Sequence, residues 1–111
     1  MATRITATRR DDGILVLQIS CPERRNILDE ASYATLIEAL DSAEADDGVK
    51  VLILTGTENC FTAGNDLDNY RALAQADSVS AVSFLRRLHA FRKPAIAAAE
   101  GIAMGLGVSM L

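Results

Sequence analysis

The chain has 111 residues, 50% of them hydrophobic and 23% charged, with a formal net charge of −4. That balance belongs to one globular domain and not to a disordered segment. There is no lysine or arginine run and little aromatic interleaving, which argues against nucleic acid as a partner, and no apolar stretch reaches the roughly 18 residues of a membrane span.

The start, Met1-Ala2-Thr3-Arg4, lacks a signal-peptide core. Cys21 and Cys60 are far apart and without metal-ligand spacing, so they read as reduced thiols in a cytoplasmic protein. From Thr3 to Arg9 a weak alternation predicts a strand. Asp11-Asp12-Gly13 has the composition of a hairpin turn, and Ile14 to Ile19 follows as a buried strand. Pro22 ends it. Between Asp29 and about Ala45, the residues Tyr33, Leu36, Ile37 and Leu40 fall at i, i+3, i+4 and i+7, the apolar face of a helix. Asp29 is the expected N-cap and Asp46-Asp47-Gly48 the expected stop.

A strand from Val49 to Leu54 comes next. A second helical region is expected from about Leu67 to Ala90, broken near Ala76-Asp77-Ser78, with Phe84, Leu88 and Phe91 on one face. Lys93-Pro94 then opens a strand from Ala95 to Ala99. The order strand, strand, helix, strand, helix, strand, helix predicts an α/β fold with buried strands. The final run from Gly105 to Leu111 reads as a helix that opens without a terminating signal. Seven residues do not hold a helix alone, since isolated helices need about 12–15, so the chain is expected to be the front part of a longer protein.

Two glycine-bearing turns carry most of the chemistry. Each leaves an apolar strand for a helix, the first through Phe61-Thr62-Ala63-Gly64-Asn65-Asp66-Leu67, the second through Gly101 and Ala103-Met104-Gly105-Leu106-Gly107. The first amides of such a helix have no partner within it and sit at the positive end of its dipole. Two such ends facing each other could hold one developing oxyanion between two backbone N–H groups, an arrangement suited to a thioester carbonyl. Other readings fail. The glycine spacing is not that of a dinucleotide fold, no Gly-Lys-Ser/Thr follows Gly56 or Gly64, and no histidine, cysteine or carboxylate cluster suggests a metal.

Pro22-Glu23-Arg24-Arg25-Asn26-Ile27-Leu28, the Phe61–Leu67 segment, and Lys93-Pro94-Ala95-Ile96-Ala97-Ala98 through Gly107 occur in that order. Together they resemble the enoyl-CoA hydratase/isomerase, or crotonase, superfamily over nearly the whole chain. The resemblance implies the N-terminal portion of a spiral of ββα units, assembled as a homotrimer or a dimer of trimers. It implies an acyl-CoA thioester as substrate, with coenzyme A part of that substrate and no separate cofactor. The oxyanion-hole amides would be those of Asn65 and Leu106. Arg24, Asn26, Ala63, Gly64, Asp66, Leu67 and Gly105 would line the path of coenzyme A and the acyl chain.

Family members differ in their acid/base group. Hydratases carry two glutamates, the first in the helix just after the second glycine turn, and the matching position here is Ser109. A hydroxyl does not act as a general base near neutral pH without a partner to deprotonate it. The resemblance is closest to Δ3,Δ2-enoyl-CoA isomerases, which need one base, so isomerisation is slightly favoured over hydration. The alternative is a subunit that binds acyl-CoA without turnover or is purely structural. Residues 1–111 alone are not expected to be active.

Each residue also has a plainer reading. Asp66 serves as an N-cap, Asn65 suits a turn at positive φ, and Gly105 and Gly107 permit close helix–strand packing. Arg24 and Arg25 are either surface charges or partners of coenzyme A phosphates. Ser109 is a packing residue outside any Gly-x-Ser-x-Gly elbow, His89 faces solvent, Glu100 caps or faces solvent, and Cys60 fills buried space.

Overall fold

A computed structural model describes residues 3–10, 12–64, 79–104 and 110. The expected hairpin forms. Strand β1 (Arg4–Arg9) pairs antiparallel with β2 (Ile14–Ser20), in a register that sets Ile5 against Ile19 and Ala7 against Leu17. Gly13, at φ 86°, turns the chain between them. After β2, Pro22–Arg24 makes a single 3₁₀ turn.

Helix α1 (Glu30–Ala45) begins at Asp29, whose carboxylate accepts from the Ser32 N–H at 2.8 Å. The Ser32 hydroxyl in turn accepts from the Asp29 N–H at 2.8 Å, so two amides at the helix start are satisfied reciprocally. Tyr33, Leu36 and Leu40 are buried, as the helical spacing predicts. Strand β3 (Val51–Thr55) follows, then β4 (Cys60–Thr62). Of the second helical region, Val79–His89 lies within the described residues as α2; the expected break at Ala76–Ser78 lies outside them. Strands β5 (Ala95–Ala98) and β6 (Ile102–Ala103) complete the described elements.

Among the described residues the strands form two sheets. The larger has the order β1-β2-β3-β5, with β2, β3 and β5 mutually parallel; the smaller pairs β4 with β6, also parallel. Helices α1 and α2 cover the larger sheet. Leu17, Ile19, Leu52 and Leu54 meet Leu36, Leu40, Phe61 and Phe84 in the core, where each fully buried side chain contributes roughly 1.5–3 kcal/mol. Tyr33 and Phe84 bring the two helices together, ring centroids 5.7 Å apart.

The last turn of α1 carries no basic residue. Lys93 supplies the missing charge from the connection between α2 and β5. Its ammonium donates to the carbonyls of Ala43, Asp46 and Val49 at 2.6–2.7 Å, where a cation suits the negative end of the helix. Lys93 thereby ties the start of β5 to the end of α1.

One expectation needs correction. The sequence predicts buried strands, yet β3 alternates between buried and half-buried residues and every residue of β5 is exposed, Ile96 by 55%. β5 is the edge of the sheet among the described residues, and its alanines carry little side chain to cover.

Candidate functional site

The chain reverses at Arg25 and Asn26, which both adopt φ 55°, the left-handed region. Two consecutive non-glycine residues there are costly and persist only where the surroundings fix them. Asn26 does much of that fixing. It is fully buried, and its Oδ1 accepts from the Cys21 N–H at 2.7 Å. Its Nδ2 donates to Thr57 Oγ1 and the Cys60 carbonyl, each at 2.9 Å, and to the Phe61 carbonyl at 3.3 Å. Asn26 thus clamps the 21–28 segment onto β4.

The same two segments are joined again beyond β4. The Ala63 N–H donates to the Arg25 carbonyl at 3.0 Å, and the Leu28 N–H donates to the Gly64 carbonyl at 2.8 Å. Thr62, fully buried, donates through its hydroxyl to the Asn26 carbonyl at 2.5 Å and accepts from the Gly64 N–H at 3.1 Å. Gly64 sits at φ 93°, which a residue with a Cβ rarely adopts.

The second glycine turn is stitched to the first. Gly101, at φ 78°, passes so close to Asn59 that a Cβ there would lie 2.0 Å from its carbonyl oxygen. The Ile102 N–H then donates to Asn59 O, and the Met104 N–H to Thr62 O, both at 3.1 Å. Because β4 and β6 run parallel, both chains leave the small sheet at the same end, through Ala63 and Gly64 on one side and Met104 on the other. Ligands of α/β proteins commonly bind at the carboxyl ends of parallel strands.

The structure therefore brings Asn26, Ala63 and Gly64 together, with Arg24 in the adjoining 3₁₀ turn, half-buried, and Arg25 exposed. Asn65, Asp66, Leu67, Gly105, Leu106, Gly107 and Ser109 lie outside the described residues. Cys60 is buried; burial pushes its thiol pKa up, partly offset by the Arg25 charge, and its Sγ lies 3.2 Å from the Arg25 carbonyl. Neither cysteine is part of a disulfide. His89 and Glu100 are exposed. Among the described residues no group of three metal-ligating side chains occurs. A groove of about 650 Å³ between α2 and β5 is bounded by Leu54, Leu85, Leu88, His89, Ile96 and Met110, and Arg24, Asn26, Ala63 and Gly64 do not line it.

Thr57, Asn59 and Thr62 are participants that sequence reasoning missed. The available signal was the pair of short apolar stretches, Phe61-Thr62 and Ile102-Ala103, that precede the two glycine turns.

The profile of the enoyl-CoA hydratase/isomerase family matches residues 9–111. The chain is similar to the 2,3-dehydroadipyl-CoA hydratase of Escherichia coli (strain K12), 34% identical over 106 residues that cover 91% of this chain and 40% of the relative. It is 29% identical to the human enoyl-CoA delta isomerase 2 over 109 residues, 91% of this chain and 27% of that protein. Among solved structures, that of Pseudomonas aeruginosa OdaA superposes with a TM-score of 0.87 at 37% identity, over 96% of this chain and 43% of its own. The chain spans less than half the length of these relatives.

Proposed function

The chain belongs to the enoyl-CoA hydratase/isomerase family, and from that premise we propose that the protein carrying it acts on an acyl-CoA thioester, whose carbonyl is held by the backbone N–H groups of Asn65 and Leu106. The observation that supports this reading is the parallel pairing of β4 with β6, fixed by the Met104–Thr62 hydrogen bond at 3.1 Å. It sets the origins of the two glycine turns side by side, as a two-amide oxyanion hole requires.

Two donors at one oxygen draw charge onto it and acidify the carbon next to the thioester. For isomerisation, a base takes a proton from that carbon of a 3-enoyl-CoA, the electron pair moves onto the thioester oxygen as a dienolate, and the proton returns two carbons further along. Isomerisation is favoured slightly over hydration, because Ser109 stands where hydratases carry their first glutamate. The base is a carboxylate supplied from outside residues 1–111, so this segment alone is inactive. Arg24, Ala63, Gly64, Asp66, Leu67 and Gly105 border the coenzyme A and acyl path. Asn26 contributes by holding that border in place, since its carboxamide is engaged with the protein. Coenzyme A enters as part of the substrate, and no separate cofactor is needed. The same reading carries a homotrimer or dimer of trimers in the cytoplasm; no helix among the described residues is long and apolar enough to cross a membrane.

Leu106→Pro deletes one donor. It is expected to lower turnover by roughly 10²–10³ while acyl-CoA binding falls far less. Equal losses in turnover and binding would contradict the assignment. The second reading, an acyl-CoA-binding subunit without turnover, is favoured by Ser109. A tight complex with acyl-CoA and no product over hours would support it.

A further inference from the structure

A buried hydroxyl is costly unless it is hydrogen-bonded, and Thr62 both donates and accepts at one place. Its proton goes to the Asn26 carbonyl at 2.5 Å, and its oxygen accepts the Gly64 N–H at 3.1 Å. Valine has the same shape and would pack equally well in a buried strand end, so packing alone does not ask for a hydroxyl here. Gly64 is the residue that does ask. At φ 93° it has the backbone freedom that lets the turn form, and that freedom would leave its peptide poorly aimed. A donor serving an oxyanion works only if its direction is set beforehand.

The base of the relay is itself rigid. The Asn26 carbonyl belongs to a left-handed residue whose side chain bonds Cys21, Thr57, Cys60 and Phe61. The Gly64 carbonyl is held from the other side by the Leu28 N–H at 2.8 Å. We propose that Thr62 is a positioning residue: its hydroxyl, anchored on the Asn26 carbonyl, fixes the Gly64 peptide and thus the direction in which the chain leaves β4. This inference rests on the two-amide reading above, because a fixed exit from β4 matters to the reaction only if the next amide is a donor.

The test compares Thr62→Val, Thr62→Ser and Thr62→Cys in the full-length protein. It measures kcat, acyl-CoA dissociation constant, and the infrared carbonyl stretch of a bound isotope-labelled acyl-CoA. Thr62→Val is expected to lower kcat by about 10–100-fold with binding changed less than about threefold, and to lose part of the carbonyl red shift. Thr62→Ser, which keeps the hydroxyl, is expected to stay within about threefold of the parent in kcat. If Thr62→Val fails to fold in a thermal melt, the serine and cysteine variants decide. The weak thiol donor should turn over more slowly than the hydroxyl, and equal rates overturn the proposal. A parent protein that shifts the carbonyl, with Thr62→Val shifting it equally and turning over equally, overturns this inference alone. A parent that neither turns over acyl-CoA nor shifts the carbonyl removes the two-amide reading and this inference with it.

Discussion

The backbone N–H of Met104 donates to the carbonyl of Thr62 at 3.1 Å, so two strands far apart in sequence end beside each other. With the Ile102–Asn59 bond it makes β6 the parallel neighbour of β4. Everything proposed for the site depends on that adjacency, because two amides can share one oxygen only if the chains bearing them emerge together.

Gly101 is where the adjacency is most exposed to mutation. A Cβ at this position meets Asn59 backbone atoms at 2.0 and 2.2 Å, and φ is 78°. Neither the strain nor the clash can be relieved by moving a side-chain tip. Gly101→Ala is expected to cost about 3 kcal/mol in denaturant unfolding. Gly48→Ala is the contrast, since its Cβ would meet the guanidinium end of Arg9, a flexible group able to swing away. It should cost less than about 1 kcal/mol. Equal costs would contradict the stitched geometry.

Asn26→Ala removes the clamp between the 21–28 segment and β4. The Cys21 N–H loses its bond to the Asn26 side chain in a buried setting, where an unsatisfied group costs roughly 1–3 kcal/mol, and the Cys60 carbonyl loses one of its bonds while keeping that from the Thr57 N–H. A loss of about 3 kcal/mol in chemical unfolding is expected. Asn26→Asp should be no better, because a carboxylate would face the Cys60 and Phe61 carbonyls that the amide now satisfies. A neutral effect of either substitution would show that the turn holds without this side chain.

Glu44 gives the fold an acid limb. The Arg92 backbone N–H donates to its carboxylate at 2.8 Å, and Arg87 adds a second bond at 2.8 Å. Together they hold its pKa below the ordinary 4.5. A carboxyl depressed in the folded state stabilises fully above its unfolded pKa, and the contribution is lost as pH falls through the folded value. Urea midpoints measured from about pH 6 to about pH 3 should therefore fall less steeply for Glu44→Gln than for the parent. Superimposable profiles would mean that Glu44 is not linked to folding.

Much of this fold is legible in the sequence. The i, i+3, i+4, i+7 pattern of Tyr33, Leu36, Ile37 and Leu40 and the Asp29 cap located α1 to within a residue, because period and capping are local properties. The hairpin and β3 were equally local. β4 and β6 were not readable as a sheet. They have three and two residues, too few to show alternation, and their pairing is a contact between distant segments. Hydropathy also misjudged Ala95–Ala98, since apolar composition cannot say whether another element lies alongside. Arg24, Asn26, Ala63 and Gly64 were singled out by resemblance, and what resemblance could not separate is lining from holding. The Asn26 carboxamide, bonded on both ends to protein, falls to the second.

The most direct measurement is a spectroscopic assay of the full-length protein with a 3-enoyl-CoA and, separately, a 2-enoyl-CoA. Conversion of the 3-enoyl thioester to its conjugated 2-enoyl isomer is expected, faster than hydration of the 2-enoyl thioester. Faster hydration would reverse the preference for isomerisation, and turnover of neither substrate would contradict the claim that this site polarises a thioester for catalysis.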